Sequence, residues 1–554
     1  MEKIEIIEKI FPEKLSIPIE IEKEYPPRKL SDGAMVTRIA PSPTGFIHIG
    51  VIYAALISER LAHQSNGIFY LRIEDTDKKR EIENASNLIV SSLVNYNIMS
   101  DEGYISDEIE LGKYGPYKQS ERANIYKSYI KILIESDLAY PCFCTHEELD
   151  EIRKLQESQD VKPGYYGKWA KWRHKSDQEI LDSLNAHKPF VVRFKSNGNI
   201  NKKIKFKDKI KGSIDLPEND QDIVIMKSNG LPTYHLAHVV DDHLMGTTHV
   251  LRGDEWLSSI SLHIQLFSAL GWKSPHYGHI SPIQKIDGQS KRKLSKRKDP
   301  EAGVSYYNEQ GYPKDAIIEY LLNIANSNFE DWRRSNPKKD NKEFILQLSK
   351  LSNSGGALFD IIKLNNISKN IIAYYSTSAI YKKSLKWANQ YDIELYKLMN
   401  EYPDYIKKIL GIERSGASKV RKDIGKWSDI KTEIKYFFDH KFLLTIDDAM
   451  NILTDVKLNA LKLIIDSFIE LYNEQDDCDK WFGKMKQVAR EHGYAENVKE
   501  YKNNPKKYKG NIADVAKIFR VLLTGKTNTP DLYTIMKVMG KERVLKRLSL
   551  VNKI

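Results

Sequence analysis

Short apolar runs alternate with amphipathic stretches in the first part of the chain. Val36–Ile39 is predicted as a short strand and is followed by a turn rich in proline and glycine, after which a helical pattern runs from about Gly50 to Leu61. Gly67–Ile73 is a second apolar run, typical of a strand that is buried on both faces. This alternation predicts an α/β fold with a doubly wound parallel sheet of the Rossmann type.

Two later apolar runs, at Asp222–Met226 and Thr248–Arg252, predict that the same sheet resumes downstream. The segment between the two halves, residues 118–221, is predicted as an α+β insertion. Lysine alternates there with isoleucine and phenylalanine over Lys202–Lys207, which is also the pattern of a half-exposed strand.

Three charged residues fall at predicted strand ends: Arg38, Glu74 and Arg252. Ligands of open α/β sheets bind in the crevice outside the carboxyl ends of the strands, where the strand order reverses. We therefore treat these residues as candidate binding residues, with a structural salt bridge as the alternative for each.

Helical periodicity dominates the last third of the chain. Leu458, Leu461, Ile465 and Phe468 recur at helical spacing, and their predicted role is core packing. Residues 1–34 are charged, contain four prolines and are predicted as a surface arm packed on the first domain. The predicted division is an N-terminal extension (1–34), two halves of a sheet domain (35–117 and 222–290) around the insertion (118–221), a helical piece with a basic loop (291–370) and an all-α region (371–554).

Composition narrows the class of protein. A chain of 554 residues predicts several domains. A net charge of +11 favours a polyanionic partner such as nucleic acid, although a lysine-rich proteome would give the same excess. No apolar run is long enough to span a bilayer and the N-terminus lacks a signal-peptide core, so no membrane association is expected. Three cysteines argue for a reducing compartment, and a cytoplasmic location is predicted.

The turn after the first strand has the features of a phosphate site. A strand, a tight turn and a helix N-terminus together present free backbone N–H groups and a dipole that favours an anion. His48 and Gly50 fall where the backbone can approach a nucleotide, and Arg38 can hold a carboxylate through its planar fork. A short basic stretch, Lys293–Arg297, follows the second sheet region.

These two stretches resemble the nucleotide-binding motifs of class I aminoacyl-tRNA synthetases, and most closely those of the bacterial-type glutamyl-tRNA synthetases. The first motif is Pro41–Gly50, with Pro-Ser-Pro-Thr-Gly before His-Ile-Gly, and the second is Lys-Leu-Ser-Lys-Arg. Further matching blocks lie between them, at Tyr70–Asp77, Gly230–Ala237, Val239–Gly246 and Leu251–Trp256. The resemblance extends from about Met35 to the C-terminus.

The resemblance implies a reaction in two steps. Glutamate and ATP form glutamyl-adenylate and pyrophosphate, and the terminal ribose of tRNA then takes the glutamyl group. Catalysis by positioning and electrostatics would fall to His48 and Lys296, with Mg²⁺ bridging the ATP phosphates. The ATP-binding residues carried over are Thr44, His48, Gly50, Glu255, Lys293 and Lys296.

Recognition of glutamate would need one cation for each carboxylate and an acceptor for the amino group. Arg38 and Arg252 are the candidate cations, and Glu74 is the candidate partner of the ammonium group. The remaining pocket residues implied by the resemblance are Ala40, Ser42, Tyr234 and His238, the last standing where some family members have asparagine.

The implied macromolecular partner is tRNA(Glu), bound by a monomer. The insertion would contact the acceptor end, and residues 291–370, which close with Gly355–Asn365, would contact the stem. The helical region would read the anticodon, with Lys419, Arg421 and Lys422, which follow Ser415–Gly416, as plausible contacts.

One departure from the family concerns zinc. Cys142 and Cys144 match a Cys-x-Cys pair that often binds zinc, but the later segment Tyr165–His174 has no cysteine and Cys478 is distant. A structural site needs four ligands, so no zinc and no other protein-bound metal is expected.

Three other functions compete. A glutaminyl-tRNA synthetase would usually carry β-barrel anticodon domains, which the helical C-terminal region opposes. A non-catalytic RNA-binding paralogue would be expected to lose His48, Lys296 or Arg38, and all three are present. A shortened relative that glutamylates a tRNA base would lack the helical region. The sequence leaves open whether the enzyme also charges tRNA(Gln) with glutamate.

Overall fold

The computed structural model describes residues 2–351, 357–414 and 420–553. The chain forms two compact units. The first contains Met1–Tyr306 and Ile318–Asp360, and the second contains Tyr307–Ile317 and Ile361–Ile554.

The N-terminal extension carries two helices, α1 (Glu2–Ile10) and α2 (Pro18–Glu24). Its tail is tied to the first unit by Arg28, which donates to both Glu102 carboxylate oxygens at 2.8 Å and to the Met245 carbonyl at 2.8 Å. The extension therefore packs on this unit, which is the arrangement that the prediction of a packed surface arm describes.

A four-stranded sheet follows, and its first three strands are parallel. Its elements are β1 (Val36–Ile39), α3 (Ile49–Gln64), β2 (Ile68–Leu71), α4 (Ala85–Asn95), β3 (Glu102–Ser106) and β4 (Ile109–Leu111). β1 pairs with β2, β2 with β3, and β4 adds antiparallel to β3. All four residues of β1 are buried, Thr37 and Arg38 included, as expected of a strand that is covered on both faces.

The insertion contains a small antiparallel sheet and a separate hairpin. Its elements are α5 (Ala123–Glu135), β5 (Ala139–Cys142), α6 (His146–Ser158), α7 (Asp177–Asn185), β6 (Val191–Phe194), β7 (Lys203–Asp208), β8 (Gly212–Pro217) and β9 (Val224–Met226). β7 pairs with β8, and the exposed lysines of β7 alternate with half-buried Ile204 and Phe206. The half-exposed strand expected at Lys202–Lys207 is confirmed.

The expectation that Asp222–Met226 rejoins the parallel sheet is wrong. β9 pairs antiparallel with β6, in the sheet ordered β5-β6-β9. A short apolar run specifies a buried strand but not the sheet that buries it, and here the partner is the nearby antiparallel strand.

The second half of the parallel sheet is built from α8 (Tyr234–Leu244), β10 (His249–Gly253), α9 (Ile260–Ala269) and β11 (His276–Ile280). β10 pairs with β11 in parallel, and it lies beside β1 because the Thr248 N–H donates to the Val36 carbonyl at 3.0 Å. The two parallel pieces, β1-β2-β3-β4 and β10-β11, thus lie side by side at β1 and β10, and the predicted doubly wound arrangement is confirmed. The chain winds from β1 to β2 and β3 on one side and from β10 to β11 on the other, so a ligand crevice is expected between β1 and β10.

The segment that carries the basic loop begins with strands and not with a helix. Its elements are β12 (Ile283–Asp287), β13 (Ser290–Lys293), α10 (Val304–Gln310), α11 (Lys314–Ala325), α12 (Asn328–Ser335) and β14 (Ala357–Leu358). β12 and β13 form an antiparallel hairpin, so the start of the predicted helical piece is corrected to a hairpin that ends in the loop. Gly355 and Gly356 lie outside the described residues.

The rest of the second unit is helical, as predicted. Its helices are α13 (Ile361–Tyr374), α14 (Thr377–Tyr391), α15 (Ile393–Glu401), α16 (Pro403–Gly411), α17 (Asp429–Ile434), α18 (Ile446–Ile452), α19 (Leu458–Leu471), α20 (Cys478–Glu491), α21 (Val498–Asn503), α22 (Ile512–Thr524), α23 (Leu532–Met539) and α24 (Lys541–Leu548). Leu461, Ile465 and Phe468 on α19 are fully buried and Leu458 packs at their edge, so the predicted core stripe is confirmed.

Short 3₁₀ helices occupy Gln119–Arg122, Gly167–Trp169, Asp254–Ser259, Pro300–Ala302, Asn341–Glu343, Leu348–Lys350, Lys435–Phe437, Asp439–Lys441 and Ser549–Lys553. No helix within the described part of the chain has the length and apolar character needed to cross a membrane.

Candidate active site

The turn between β1 and α3 fixes the orientation of one imidazole. His48 is the N-cap of α3, and its Nδ1 accepts a hydrogen bond from the Gly50 N–H at 2.9 Å. Because Nδ1 is the acceptor, the proton of the neutral ring is on Nε2. Gly45, earlier in the turn, has a φ of +92°, a conformation that favours glycine.

The same imidazole contacts the basic loop. His48 Nε2 donates to the Leu294 carbonyl at 3.2 Å. Burial lowers the pKa of His48, and the nearby charges of Lys293 and Lys296 add to this shift although the Leu294 hydrogen bond opposes it. The ring is therefore a neutral hydrogen-bond donor near pH 7.

Lys296 reaches back across the loop to the first motif. Its Nζ donates to the Phe46 carbonyl at 2.7 Å and lies 5.5 Å from the centre of the Phe46 ring. Burial lowers the pKa of Lys296. The loop is braced from behind by Asp299, which binds Arg292 and accepts from the Ser295 N–H at 3.0 Å. The two motifs, about 250 residues apart in sequence, thus meet.

A cavity of about 500 Å³ lies at the switch point between β1 and β10. Its wall includes most of the residues that the sequence proposed as site residues: Arg38, Ala40, Ser42, His48, Gly50, Glu74, Tyr234, Arg252, Glu255, Lys293 and Lys296. The volume and the mixed apolar and charged wall are typical of a small-molecule site.

Arg38 is buried and shares a carboxylate with a second arginine. Its Nε lies 3.3 Å from both oxygens of Asp242, and one of its terminal nitrogens donates to the Leu251 carbonyl at 3.3 Å. Arg72 donates to Asp242 at 2.7 Å. Burial alone would raise the pKa of Asp242, but Arg38 and Arg72 hold it well below its usual range. Asp242 therefore stays ionised and aims Arg38 at the cavity.

Glu74 lies three residues beyond β2 and is positioned by the same network. Arg72 donates to its carboxylate at 3.0 Å, and its backbone N–H donates to the Pro41 carbonyl at 3.1 Å. Burial raises the pKa of Glu74, while Arg72 and Arg38 oppose the shift. A cation bound in the cavity would favour its ionised form further.

Arg252 and an aromatic pair form the opposite wall. One terminal nitrogen of Arg252 donates to the Tyr234 hydroxyl at 3.2 Å. The Tyr234 ring lies 4.2 Å from the Trp256 ring, centre to centre. The rest of the guanidinium contacts His263 and His279 at 3.2 Å each. The wall thus presents a cation between flat apolar surfaces.

Glu255 stands at the mouth of the cavity, where its carboxylate lies 3.5 Å from Lys293 Nζ. The preceding Gly253 leaves room for it, since a Cβ there would come 2.2 Å from a Glu255 carboxylate oxygen. The pair joins the 3₁₀ helix that follows β10 to the basic loop.

Two of the proposed residues do not line the cavity. Thr44 is exposed in the turn. His238 is fully buried behind Tyr234, on which its ring stacks at 5.6 Å. Its two ring nitrogens lie 2.7 Å from Asp242 and 3.0 Å from the Tyr277 hydroxyl, and burial lowers its pKa to about 3. The expected substrate contact of His238 is therefore corrected to support of Tyr234 and Asp242.

Sequence reasoning missed the residues that hold the site from behind, chiefly Asp242, Arg72, His263 and His279. Asp242 and Arg72 lay inside blocks that the sequence had already singled out, and a charge inside an apolar block is a signal of a buried ion pair. His263 and His279 carried no such signal, because isolated histidines in apolar segments are common.

In the second unit, the described residues among the proposed anticodon contacts differ in their exposure. Lys419 and Ser415–Gly416 lie outside the described residues. Lys422 is exposed and donates to Asn370 at 2.7 Å. Arg421 is buried, pairs with Asp423 and donates to the Ile409 carbonyl at 3.1 Å, so it braces the fold and does not present its charge outward.

The Cys142 and Cys144 thiols both contact the Tyr165 hydroxyl, at 3.4 Å each. In residues 2–351, 357–414 and 420–553, no three histidine, cysteine or acidic side chains are grouped as a metal site would require.

The family model described as the catalytic domain of class I tRNA synthetases (E and Q) matches residues 34–350, and a model of an anticodon binding domain matches residues 386–551.

Among curated relatives, a glutamate–tRNA ligase of Clostridium perfringens (strain 13 / Type A) is 49% identical over 97% of this chain and 98% of its own length. The corresponding ligase of Acetivibrio thermocellus is also 49% identical, over 95% of each chain. Among solved structures, a glutamate tRNA ligase from Elizabethkingia meningosepticum in complex with its amino acid aligns with a TM-score of 0.71 and 28% identity, over 94% of this chain and 99% of that one.

Proposed function

Because this chain belongs to the class I tRNA synthetases for glutamate and glutamine, we infer that it is a glutamate–tRNA ligase. The observation that carries this conclusion is the match to glutamate–tRNA ligases over nearly the full length of both chains. The anticodon-domain match makes tRNA its macromolecular substrate.

The reaction has two balanced steps. A carboxylate oxygen of glutamate attacks the α-phosphorus of ATP, and pyrophosphate leaves with the electron pair of the broken P–O bond. A ribose hydroxyl at the 3′ end of tRNA(Glu) then attacks the carbonyl carbon of the adenylate, loses its proton and releases AMP. Both steps need positioning and charge stabilisation but no covalent enzyme intermediate.

In the first step, His48 and Lys296 act on the phosphates. His48 exchanges its hydrogen bond to the Leu294 carbonyl for one to a phosphate oxygen, and Lys296 exchanges the Phe46 carbonyl in the same way. Lys293 and Glu255 hold the nucleotide near the cavity mouth, with Gly50 allowing close approach. Bound to ATP, Mg²⁺ would add charge neutralisation at the phosphates.

The amino acid lies deeper, between the two arginines. Arg38 and Arg252 each take one carboxylate, and Glu74 accepts from the ammonium group. Tyr234 closes the pocket, and Ala40 and Ser42 also line it. Arg38 and Arg252 are buried and the Glu74 side chain is 9% exposed, which supports this arrangement, since electrostatic contacts are stronger out of water.

The proposal extends to the state of the protein. It is a cytoplasmic monomer without zinc, and its three cysteines are free. Static light scattering at micromolar concentration tests the monomer, and elemental analysis of the purified protein tests for zinc.

ATP–pyrophosphate exchange in the presence of tRNA tests the function. We expect exchange with glutamate and none with glutamine. Charging of tRNA(Glu) with glutamate should follow, and parallel charging of tRNA(Gln) decides whether the enzyme discriminates between the two. Exchange with glutamine in place of glutamate would overturn the conclusion in favour of the glutamine enzyme.

A further inference from the structure

Arg252 is held by neutral groups. Its side chain is buried, and its Nε donates to His279 Nε2 at 3.2 Å. One terminal nitrogen donates to His263 Nδ1 at 3.2 Å and to the Trp256 carbonyl at 3.3 Å. The other donates to the Tyr234 hydroxyl. Each of these acceptors is uncharged when the histidines are neutral.

The tautomer of His279 follows from its two neighbours. Its Nδ1 lies 2.6 Å from one oxygen of Asp208, and the other oxygen accepts from three backbone N–H groups. Asp208 is thus an acceptor, so Nδ1 carries the proton and Nε2 is free to accept from Arg252. A second proton on the ring would point at the guanidinium N–H and is disfavoured.

The tautomer of His263, which contacts a different nitrogen of Arg252, also follows from its neighbours. Because its Nδ1 accepts from Arg252, its proton is on Nε2, which lies 3.0 Å from His235 Nδ1. Protonated imidazoles here would face each other and the guanidinium, and burial lowers the pKa of both rings. Two hydrogen-bond chains, Asp208–His279 and His235–His263, thus converge on one arginine.

The other arginine of the cavity is held differently. Arg38 is paired directly with Asp242, so part of its charge is already compensated. Within the described part of the chain, no carboxylate lies within 4.0 Å of the Arg252 guanidinium. Asp208 is linked to Arg252 indirectly: it accepts from His279 Nδ1, and His279 Nε2 accepts from Arg252.

We propose that His263 and His279 are positioning residues that hold Arg252 through neutral ring nitrogens, leaving its full positive charge for the carboxylate on the substrate's side chain. This inference rests on the proposed function. The carboxylate that reacts with ATP becomes an anhydride and loses its charge, whereas the side-chain carboxylate keeps its charge throughout and can be matched by a permanent cation. A carboxamide cannot satisfy such a cation, and glutamine is rejected for that reason.

A series at His263 separates charge from packing. Asparagine places a neutral oxygen where Nδ1 accepts, aspartate places a charged oxygen there, and leucine removes the acceptor. We expect the glutamate KM of His263→Asn to stay within about threefold of wild type. We expect His263→Leu to raise it, and His263→Asp to raise it by about tenfold to a hundredfold, as loss of a charged hydrogen bond does.

Selectivity is the second readout. In His263→Asp, the ratio of kcat/KM for glutamate to that for glutamine should fall by the same factor, because Arg252 is then neutralised by the protein. The KM for ATP should be unchanged in every variant. His279→Gln, which places an amide oxygen at the Nε2 position, should behave like His263→Asn.

His276 provides the matched control, since it lies on β11 with His279 but packs against His249 away from the cavity. His276→Asn should leave every constant unchanged. The inference is overturned if the leucine, asparagine and aspartate variants of His263 share one glutamate KM, or if the KM for ATP rises in parallel. Should the aspartate variant fail to fold, the leucine and asparagine pair still decides. A wild-type enzyme that prefers glutamine would instead overturn the proposed function.

Discussion

The two units bury different kinds of side chain. In the interior of the first unit lie Arg72, Arg122, Asp241 and Asp242, each no more than 1% exposed and joined by ion pairs. In the interior of the second unit, buried residues are mostly aliphatic and aromatic, as at Leu522. Its buried arginines donate largely to backbone carbonyls.

This difference means that buried ion pairs mainly position side chains, whereas apolar burial mainly stabilises the fold. Burying an ion pair costs desolvation that its attraction barely offsets, so such a network adds little net stability. It does fix geometry, because each arginine and carboxylate has several directional partners. Asp241 and Asp242 both lie on α8, the helix that begins with Tyr234. The ion network therefore aligns α8 with the cavity, whereas the helical unit is held by apolar burial.

The largest expected effect comes from breaking the network. Asp242→Asn leaves Arg38 and Arg72 without their shared charge, and we expect it to destabilise the first unit by about 3–5 kcal/mol. Calorimetric unfolding measures this. The matched control is Asp404→Asn, whose aspartate is 87% exposed and should matter by less than about 0.5 kcal/mol. Equal stability of the two variants would remove the distinction between the units.

The apolar counterpart is Leu522→Ala in α22. Leu522 is fully buried, so the lost burial and the resulting cavity should destabilise the second unit by about 2–5 kcal/mol. Leu463→Ala is the control, because Leu463 is 59% exposed on a neighbouring helix. We expect the glutamate KM in pyrophosphate exchange, measured below the unfolding transition, to be unchanged. A rise in this KM would contradict the division of roles.

Lys296→Ala should have a smaller effect, and that effect should be on the activation free energy of adenylate formation and not on the free energy of unfolding. Removing a charge donor from the phosphates should slow adenylate formation by about a hundredfold, or about 2.7 kcal/mol in the barrier. Unlike Asp242→Asn, it should leave the unfolding temperature unchanged. Lys298→Ala, an exposed lysine of the same loop, is the control. An unaltered exchange rate in Lys296→Ala would remove this residue from the chemistry.

The smallest effect concerns a partly exposed ion pair of the first unit. His63 binds Glu59 and Asp101 at 2.9 Å each, and the Glu59 hydrogen bond foremost raises the pKa of His63 to about 8. A raised pKa stabilises the fold fully below about pH 6.5, and this stability is lost as the pH rises through 8. Solvent screening limits the contribution of this ion pair to the free energy of unfolding to under about 1 kcal/mol.

Unfolding temperatures between pH 6 and pH 9 test this pair. The wild type should lose stability over this window relative to His63→Gln, which has no charge to lose there. Parallel curves for the two proteins would show that exposure removes the contribution altogether, and would sharpen the contrast with the buried network.

The sequence predicted the parts of the site that lie on one stretch of chain. The strand–turn–helix pattern located Arg38 and His48, and the basic stretch located Lys296. Periodicity predicted the helical region and its stripe at Leu461 and Phe468. These succeed because local spacing determines which face of a strand or helix is buried.

The remainder depends on contacts between distant segments. The pairing of Val224–Met226 with β6 could not be read from its composition, which suits either sheet. The burial of His238 depends on α9 and β11 covering α8. Nor does any local signal place His263 and His279 on either side of Arg252, since those three residues come from different elements.

The tether at Arg28 constrains how the chain matures during synthesis. Its carbonyl partner at Met245 lies 217 residues downstream, which at the usual rate of translation is a delay of about 10–40 s. The first helix needs no such late partner, because it packs against α5 and α7, and α7 ends at Asn185. The helix can therefore dock while the rest of the first unit is still being made. The Arg28 tether closes afterwards, once Met245 has emerged.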